Sequence, residues 1–200
     1  MKVLLLISFL FISGIAVNAQ SDTLKDTRDG KSYKTVQIGQ QTWMAENLAF
    51  KTDKYSYCYA NKVANCEKYG RLYRWDAAVK ACPAGWHLPT DEEWQTLEKK
   101  LGMADTDMAK ANTWRGTDQA TKLLSDTTVN FGLLFGGYHN PPSNNFLIGM
   151  QSFFWTATEN GAHAWYRQMR DGSGKIYRRT RPKSWAMSVR CVKDSVENKQ

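Results

Sequence analysis

Two stretches of the chain hold residue types that could do chemistry, and both point to recognition rather than catalysis. Tyr166 to Lys183 carries seven basic residues, Arg167, Arg170, Lys175, Arg178, Arg179, Arg181 and Lys183, against the single acid Asp171. In an extended strand alternate side chains share a face, so Lys175, Tyr177, Arg179 and Arg181 would stand together. A guanidinium is a rigid fork of N–H donors that fits a carboxylate, sulfate or phosphate, and a neighbouring ring offers a plate for a sugar. Such a strand suits an anionic glycan. The competing reading is a solvated hairpin whose charges only aid solubility. The second stretch gathers Trp114, Tyr138, His139, Asn140, Asn144, Asn145, Trp155 and Trp165. Aromatic faces stack on sugar rings, and Asn amides both donate and accept. Core packing competes for Trp155 and Trp165, and a plain turn competes for the Asn-Pro-Pro-Ser-Asn-Asn run.

Catalytic groups do not assemble in the sequence. His87, His139 and His163 stand singly, and no nucleophile elbow, phosphate loop or zinc-protease motif is present. Glu92 and Glu93 fit the first turn of a helix, where acids favour the dipole. His87, between Trp86 and Leu88, reads as part of a packed helix junction. No catalytic residue, cofactor or metal site is expected.

The cysteines are Cys58, Cys66, Cys82 and Cys191. An even number in an exported chain argues for two disulfides, and four cysteines allow three pairings. Cys58 and Cys66 are close and bracket a polar loop, so a local pair is expected there. Cys82 and Cys191 would then tie the middle of the chain to its end. The spacings do not suit zinc.

The elements that must position these groups can be read from period and turn signals. Asp29-Gly30 signals a hairpin, followed by a strand with Tyr33, Val36 and Ile38, a turn at Gly39-Gln40 and a return through Thr42-Trp43-Met44. Lys51 to Lys68 reads as a loop. From Gly70 the residues Leu72, Trp75, Val79 and Cys82 fall at helical spacing, predicting a helix that ends at Pro83. Thr90 with Glu93 forms a capping box before a second helix through Trp94, Leu97 and Leu101, stopped by Gly102. Residues 103–150 offer only a short helix near Ala120 to Leu124. Strands follow at Phe153 to Trp155, Ala162 to Met169, Lys175 to Thr180 and Ala186 to Lys193, with a turn at Asp171 to Gly174. Two early helices followed by loops and antiparallel strands indicate an α+β fold.

The chain has 200 residues, 42% hydrophobic and 23% charged, with 8 Trp and a net charge of +8. This is a globular composition that excludes a multidomain machine, a long coiled coil and a polytopic membrane protein. Residues 1–19 read as a signal peptide: Lys2, an apolar run from Val3 to Val17, and Val17-Asn18-Ala19 before Gln20. One domain at 20–200, with its core at about 25–194, is the simplest organisation. No later segment is long and apolar enough to span a membrane, so the expected location is the periplasm, the cell surface or outside the cell. Nucleic acid is not an expected partner, because export separates the chain from it and no recognition motif appears.

Four segments carry a resemblance: "DGKSYKTVQIGQQTWMAENL" (29–48), "YGRLYRWDAAVKACPAGWHLPTDEEW" (69–94), "FFWTATE" (153–159) and "SVRCVKD" (188–194). Together they resemble the Fibrobacter succinogenes major paralogous domain, a family of exported, often surface-associated proteins of Bacteroidota and related bacteria whose biochemical role is undefined. More distantly, "GWHLPTDEEW" and "VRCV" are similar to segments of the formylglycine-generating enzyme family, a variant of the C-type-lectin-like fold. That resemblance implies a C-type-lectin-like fold and supports linking Cys82 with Cys191. The reactive cysteine pair of that enzyme family is missing, because Cys191 matches its structural position. The Glu-Pro-Asn or Gln-Pro-Asp triplet and Trp-Asn-Asp run of calcium-dependent lectins are also missing. The resulting expectation is an exported, non-catalytic recognition module. It would bind an anionic or neutral glycan, or a surface protein, through late-chain loops. The alternatives are a structural cell-envelope protein and an enzyme of unknown chemistry.

Overall fold

The computed structural model describes residues 22–142 and 144–195. The leader at 1–19 and the side chain of Asn144 lie outside what is described. The elements begin with β1 (Asp22–Lys25), β2 (Ser32–Ile38), β3 (Gln41–Met44) and β4 (Ser56–Tyr57), then α1 (Val63–Tyr69), β5 (Leu72–Arg74) and α2 (Trp75–Ala78). Next come β6 (Trp86–His87), α3 (Asp91–Lys100), α4 (Asp105–Met108), β7 (Thr113–Arg115) and α5 (Gln119–Ser125). The later chain is β8 (Tyr138–Asn140), β9 (Asn144–Phe146), β10 (Gln151–Asn160), β11 (His163–Arg170), β12 (Ile176–Pro182), β13 (Ala186–Ser188) and β14 (Val192–Lys193). The architecture is mixed α+β, mostly strands with few helices.

One sheet runs β1-β2-β3-β14-β6; the other runs β4-β5-β13-β10-β11-β12-β7, with the β8–β9 hairpin attached through β13. The side-chain alternation of strands explains how two sheets enclose two cores. In the first sheet Val36, Ile38, Trp43 and Val192 enter one core while Tyr33, Met44 and Cys191 enter the other. In the second sheet Phe154, Met169 and Ile176 join the first core, and Phe153, Trp155 and Tyr166 the second. This is why Ser152 to Thr156 is buried without a break. Trp155, a candidate for the ligand surface, is therefore a core residue whose indole donates to the Tyr73 carbonyl.

Helix α3 forms as its sequence dictates. Thr90 Oγ1 accepts from the Glu93 amide, and the Glu93 carboxylate accepts from the Thr90 amide. Trp94 and Leu97 face the first core. The helix expected from Gly70 to Pro83 is corrected. Leu72 to Arg74 is a strand between β4 and β13, and only Trp75 to Ala78 is helical. Leu72 and Tyr73 are consecutive and both buried, and the Tyr73 hydroxyl donates to the Phe50 carbonyl at 2.6 Å. A strand held on both faces satisfies this, whereas a one-faced helix would expose one of the two. Lys51 to Lys68 is likewise more than a loop, because α1 carries Cys66. Cys66 is its one buried residue, so the helix has no apolar period to read.

The expected strand at Ala186 to Lys193 is two strands in different sheets. Arg190 sits at the crossing, wholly buried, and donates to the Asn47 amide oxygen and to the carbonyls of Met44, Phe131 and Gly132. Burial lowers this guanidinium to about 9, yet it holds three chain segments together. Gly132 must be glycine: its φ is +65°, and a Cβ there would stand 2.5 Å from the Ala45 carbonyl oxygen. The disulfides are Cys58–Cys66 and Cys82–Cys191. They point to an oxidising, extracytoplasmic environment.

Candidate functional site

The basic window separates into two chemically different faces. On β12, Ile176 and Arg178 point to the first core, and Tyr177, Arg179 and Arg181 point the other way. The inward arginines are neutralised. Arg178 binds Asp91 at 2.6 Å and lies 3.9 Å over the Trp165 ring. Arg167 binds both Asp91 and Glu98, at 2.5 and 2.6 Å. Arg115 donates to both Glu98 oxygens at 2.9 Å. Burial alone would raise the Asp91 carboxyl, but Arg178 and Arg167 outweigh it and hold Asp91 down at about 2. Arg178 and Trp165 thus belong to a structural ion-pair layer and do not join the other candidates.

The opposite face carries Ala164 and Tyr166 of β11 into the second core and continues beyond them as a partly exposed surface. The register pairs Tyr177 with Gln168 of β11 and Trp114 of β7, and Arg179 with Tyr166. Cross-strand partners share a face, so Trp114, Gln168, Arg170, Tyr177, Arg179 and Arg181 form one surface, joined by Gln151 opposite Arg170. The Trp114 and Tyr177 rings meet edge to face at 5.2 Å. Arg170 lies over Trp114 at 4.6 Å, and Arg181 over Trp185 at 4.9 Å. Trp185 stacks parallel on Tyr138 at 4.8 Å, which makes Tyr138 the border between this surface and the second core. Gln168 donates to Gln151 at 2.6 Å, and the Tyr166 hydroxyl donates to Gln168. Burial raises the Tyr166 hydroxyl above its usual range, and the positive field of Arg181 and Arg179 opposes that rise. Exposed Lys175 immediately precedes β12.

The remaining candidates flank this surface. His139 and Asn145 pair across the β8–β9 hairpin on the side away from Tyr138, with the Tyr57 ring 4.9 Å from His139. Asn140 ends β8 on the Tyr138 side, half-buried. The sequence reading set Lys175, Tyr177, Arg179 and Arg181 on one face of a strand and the aromatic and Asn candidates in loops; the structure has Trp114, Tyr138, His139, Asn140 and Asn145 on paired strands as well. It named Arg170 in the basic window without placing it on this face, and it missed Gln168, Gln151 and Trp185. The period-two alternation through Tyr166, Gln168 and Arg170 was available for the first of these. Gln151 and Trp185 come in only through strand register and the turn after Pro182.

A second polar cluster lies elsewhere. His87 Nε2 is 2.8 Å from Glu93 and Nδ1 is 2.6 Å from Asp194. The hydrogen bond to Glu93, against partial burial and with help from Asp194, raises the imidazole to about 9. The two carboxylates favour its cationic form. A cavity of about 300 Å³ beside it is lined by Gln37, Gln41, Glu93, Asp194 and neighbours. Among the described residues no His, Cys, Asp and Glu cluster could hold a metal ion, and no helix is long and apolar enough to cross a membrane.

Residues 36–193, from within β2 to the end of β14, match the Fibrobacter succinogenes major domain. The chain belongs to this family. The match includes every candidate site residue and both disulfides of the chain. No curated protein matches the chain, and no solved structure matches it. For this member of the Fibrobacter succinogenes major domain family, function must therefore be argued from the surface itself.

Proposed function

We propose that the protein is an exported, non-catalytic recognition module that binds a glycan on the outer face of β7, β11 and β12. The observation that carries this reading is the company of Arg170, Arg179 and Arg181. None has a carboxylate within ion-pair distance among the described residues, and two of them lie over Trp rings. Buried or paired cations are structural; unpaired guanidinium groups over Trp114 and Trp185, with Tyr177 on the same face, are suited to a ligand. A rigid strand platform holds these groups at low conformational cost.

The same reading takes 20–200 as one domain of C-type-lectin-like fold behind a cleaved signal peptide. Two features support it: the Cys82–Cys191 link from the α2 region to the segment entering the last strand, and the sharing of β10 by both cores. The test is a glycan array probed with the oxidised protein, with calcium and with chelator. Binding that persists in chelator and is lost in Tyr177→Ala supports the reading. Binding that needs calcium, or an array with no binding, counts against it.

A further inference from the structure

Resting on the glycan reading, we infer that the ligand is a linear polyanionic polysaccharide, laid along β12 and read by Arg170, Arg179 and Arg181. The argument begins with where the cations of this window find partners. Arg167 and Arg178 face inward onto Asp91 and Glu98, and Lys183 pairs with Glu159 at 2.7 Å. Arg170, Lys175, Arg179 and Arg181 have no such partner among the described residues. The one acid within the window, Asp171, sits in the turn and accepts the Gly172 amide. Strand alternation has sorted the arginines neutralised by Asp91 and Glu98 to one face and the uncompensated Arg170, Arg179 and Arg181 to the other, while Lys183 lies past the end of β12. That face carries excess positive charge and calls for a negative partner.

The layout favours a polymer over a single sugar. Arg170 pairs with Gln151 at the end of β11 next to Lys175, while Arg181 lies six residues further along β12. At a strand rise of roughly 3.4 Å per residue the cations span about 20 Å. Between these ends lie Tyr177 with Trp114 edge-on, and Gln168, whose amide donates to Gln151 beside Arg170. Charged forks at both ends, rings and amides in the middle, match a chain whose repeating units carry both hydroxyls and oxyanions. The Nε of Arg181 is buried with no hydrogen-bond partner among the described residues, while its guanidinium is held over Trp185. The Trp185 ring thus sets where this guanidinium lies, beside the Tyr138–Trp185 stack.

The experiment is calorimetric titration of the oxidised protein with polygalacturonate, chondroitin sulfate, neutral dextran and vesicles of anionic phospholipid, at low and high salt. Variants are Arg179→Ser/Arg181→Ser, Arg170→Ser and Tyr177→Ala, each checked for an unchanged melting temperature. The expected result is binding to polygalacturonate or chondroitin sulfate that weakens with salt. It should fall roughly tenfold or more in the double variant and less in Arg170→Ser. Response to polygalacturonate alone assigns carboxylates; response to chondroitin sulfate as well assigns oxyanions generally. Binding to dextran but to neither polyanion, still lost in Tyr177→Ala, overturns the polyanion and leaves the glycan reading standing. Binding to no glycan overturns both. Polyanion binding untouched by the variants overturns the site, and equal binding to the vesicles overturns selectivity for a polysaccharide.

Discussion

Arg178 and Arg179 are consecutive in β12 and stand on opposite faces of the sheet. Arg178 reaches Asp91 at 2.6 Å with its side chain 11% exposed, whereas Arg179 has no carboxylate partner among the described residues. The two should therefore respond differently to the same change. Removing Arg178 leaves buried Asp91 with Arg167 as its remaining guanidinium partner and costs about 2–3 kcal/mol. Arg178→Ser should lower the melting temperature by roughly 5–10 °C for a domain of this size, and Arg179→Ser should leave it nearly unchanged. Thermal denaturation followed by circular dichroism decides this. Equal losses in the two variants would mean that the faces are not divided as described.

Asp91 gives the ion-pair layer a pH signature. Its carboxyl is held at about 2 against an ordinary 3.8. A depressed acid contributes stability that is complete above the unfolded value and lost as pH falls through the folded one. Stability should thus decline between about pH 4 and pH 2. Asp91→Asn should lower the melting temperature at pH 7 and flatten that part of the acid decline. Urea midpoints for both proteins from pH 2 to 7 measure it, and parallel acid limbs would contradict the assignment.

His87 acts with the opposite sign. Its imidazole is raised to about 9 from 6.5 by Glu93 and Asp194. A raised base contributes stability that is complete below the unfolded value and lost as pH climbs through the folded one. The wild-type melting temperature should fall between about pH 6.5 and pH 9, and His87→Gln should lack this slope. The side chain is 38% exposed, so solvent screens the effect and the slope should be shallow. NMR titration of the imidazole locates the midpoint directly; a midpoint near 6.5 would refute the clamp.

The parts of this molecule that could be read from sequence were those governed by local rules. The Thr90–Glu93 capping box, the Gly39-Gln40 turn and the even cysteine number each act within a few residues or by simple parity. The face shared by Tyr177, Arg179 and Arg181 was legible because alternation is intrinsic to a strand. What stayed hidden depended on partners far along the chain. Arg178 looked like its neighbours until Asp91, 87 residues earlier, was found against it. Leu72 to Arg74 imitated a helix because a strand packed on both faces shows no alternation to mark it. Arg190 gave no sign of being a buried clamp, since its partners are backbone carbonyls and one amide, which carry no sequence signature.

The two disulfides should differ in both contribution and accessibility. Cys82–Cys191 closes 109 residues, so the chain-entropy argument gives it about 4–5 kcal/mol, while Cys58–Cys66 spans 8 and is assigned about 2.5 kcal/mol. Cys191 also adjoins Arg190 and precedes β14, whose pairing with β3 and β6 builds the middle of the first sheet. Cys82→Ser/Cys191→Ser should then lower the urea midpoint more than Cys58→Ser/Cys66→Ser and disturb the packing of Trp43, the register partner of Val192. Each link joins a buried cysteine, Cys66 or Cys191, to a partly exposed one, Cys58 or Cys82, and reduction of the native protein should open Cys58–Cys66 first because losing the longer link costs more of the fold. Timed alkylation with mass mapping reads the order. If Cys82 and Cys191 were labelled as fast as Cys58 and Cys66, the long-range link would not be a protected tie within the second core.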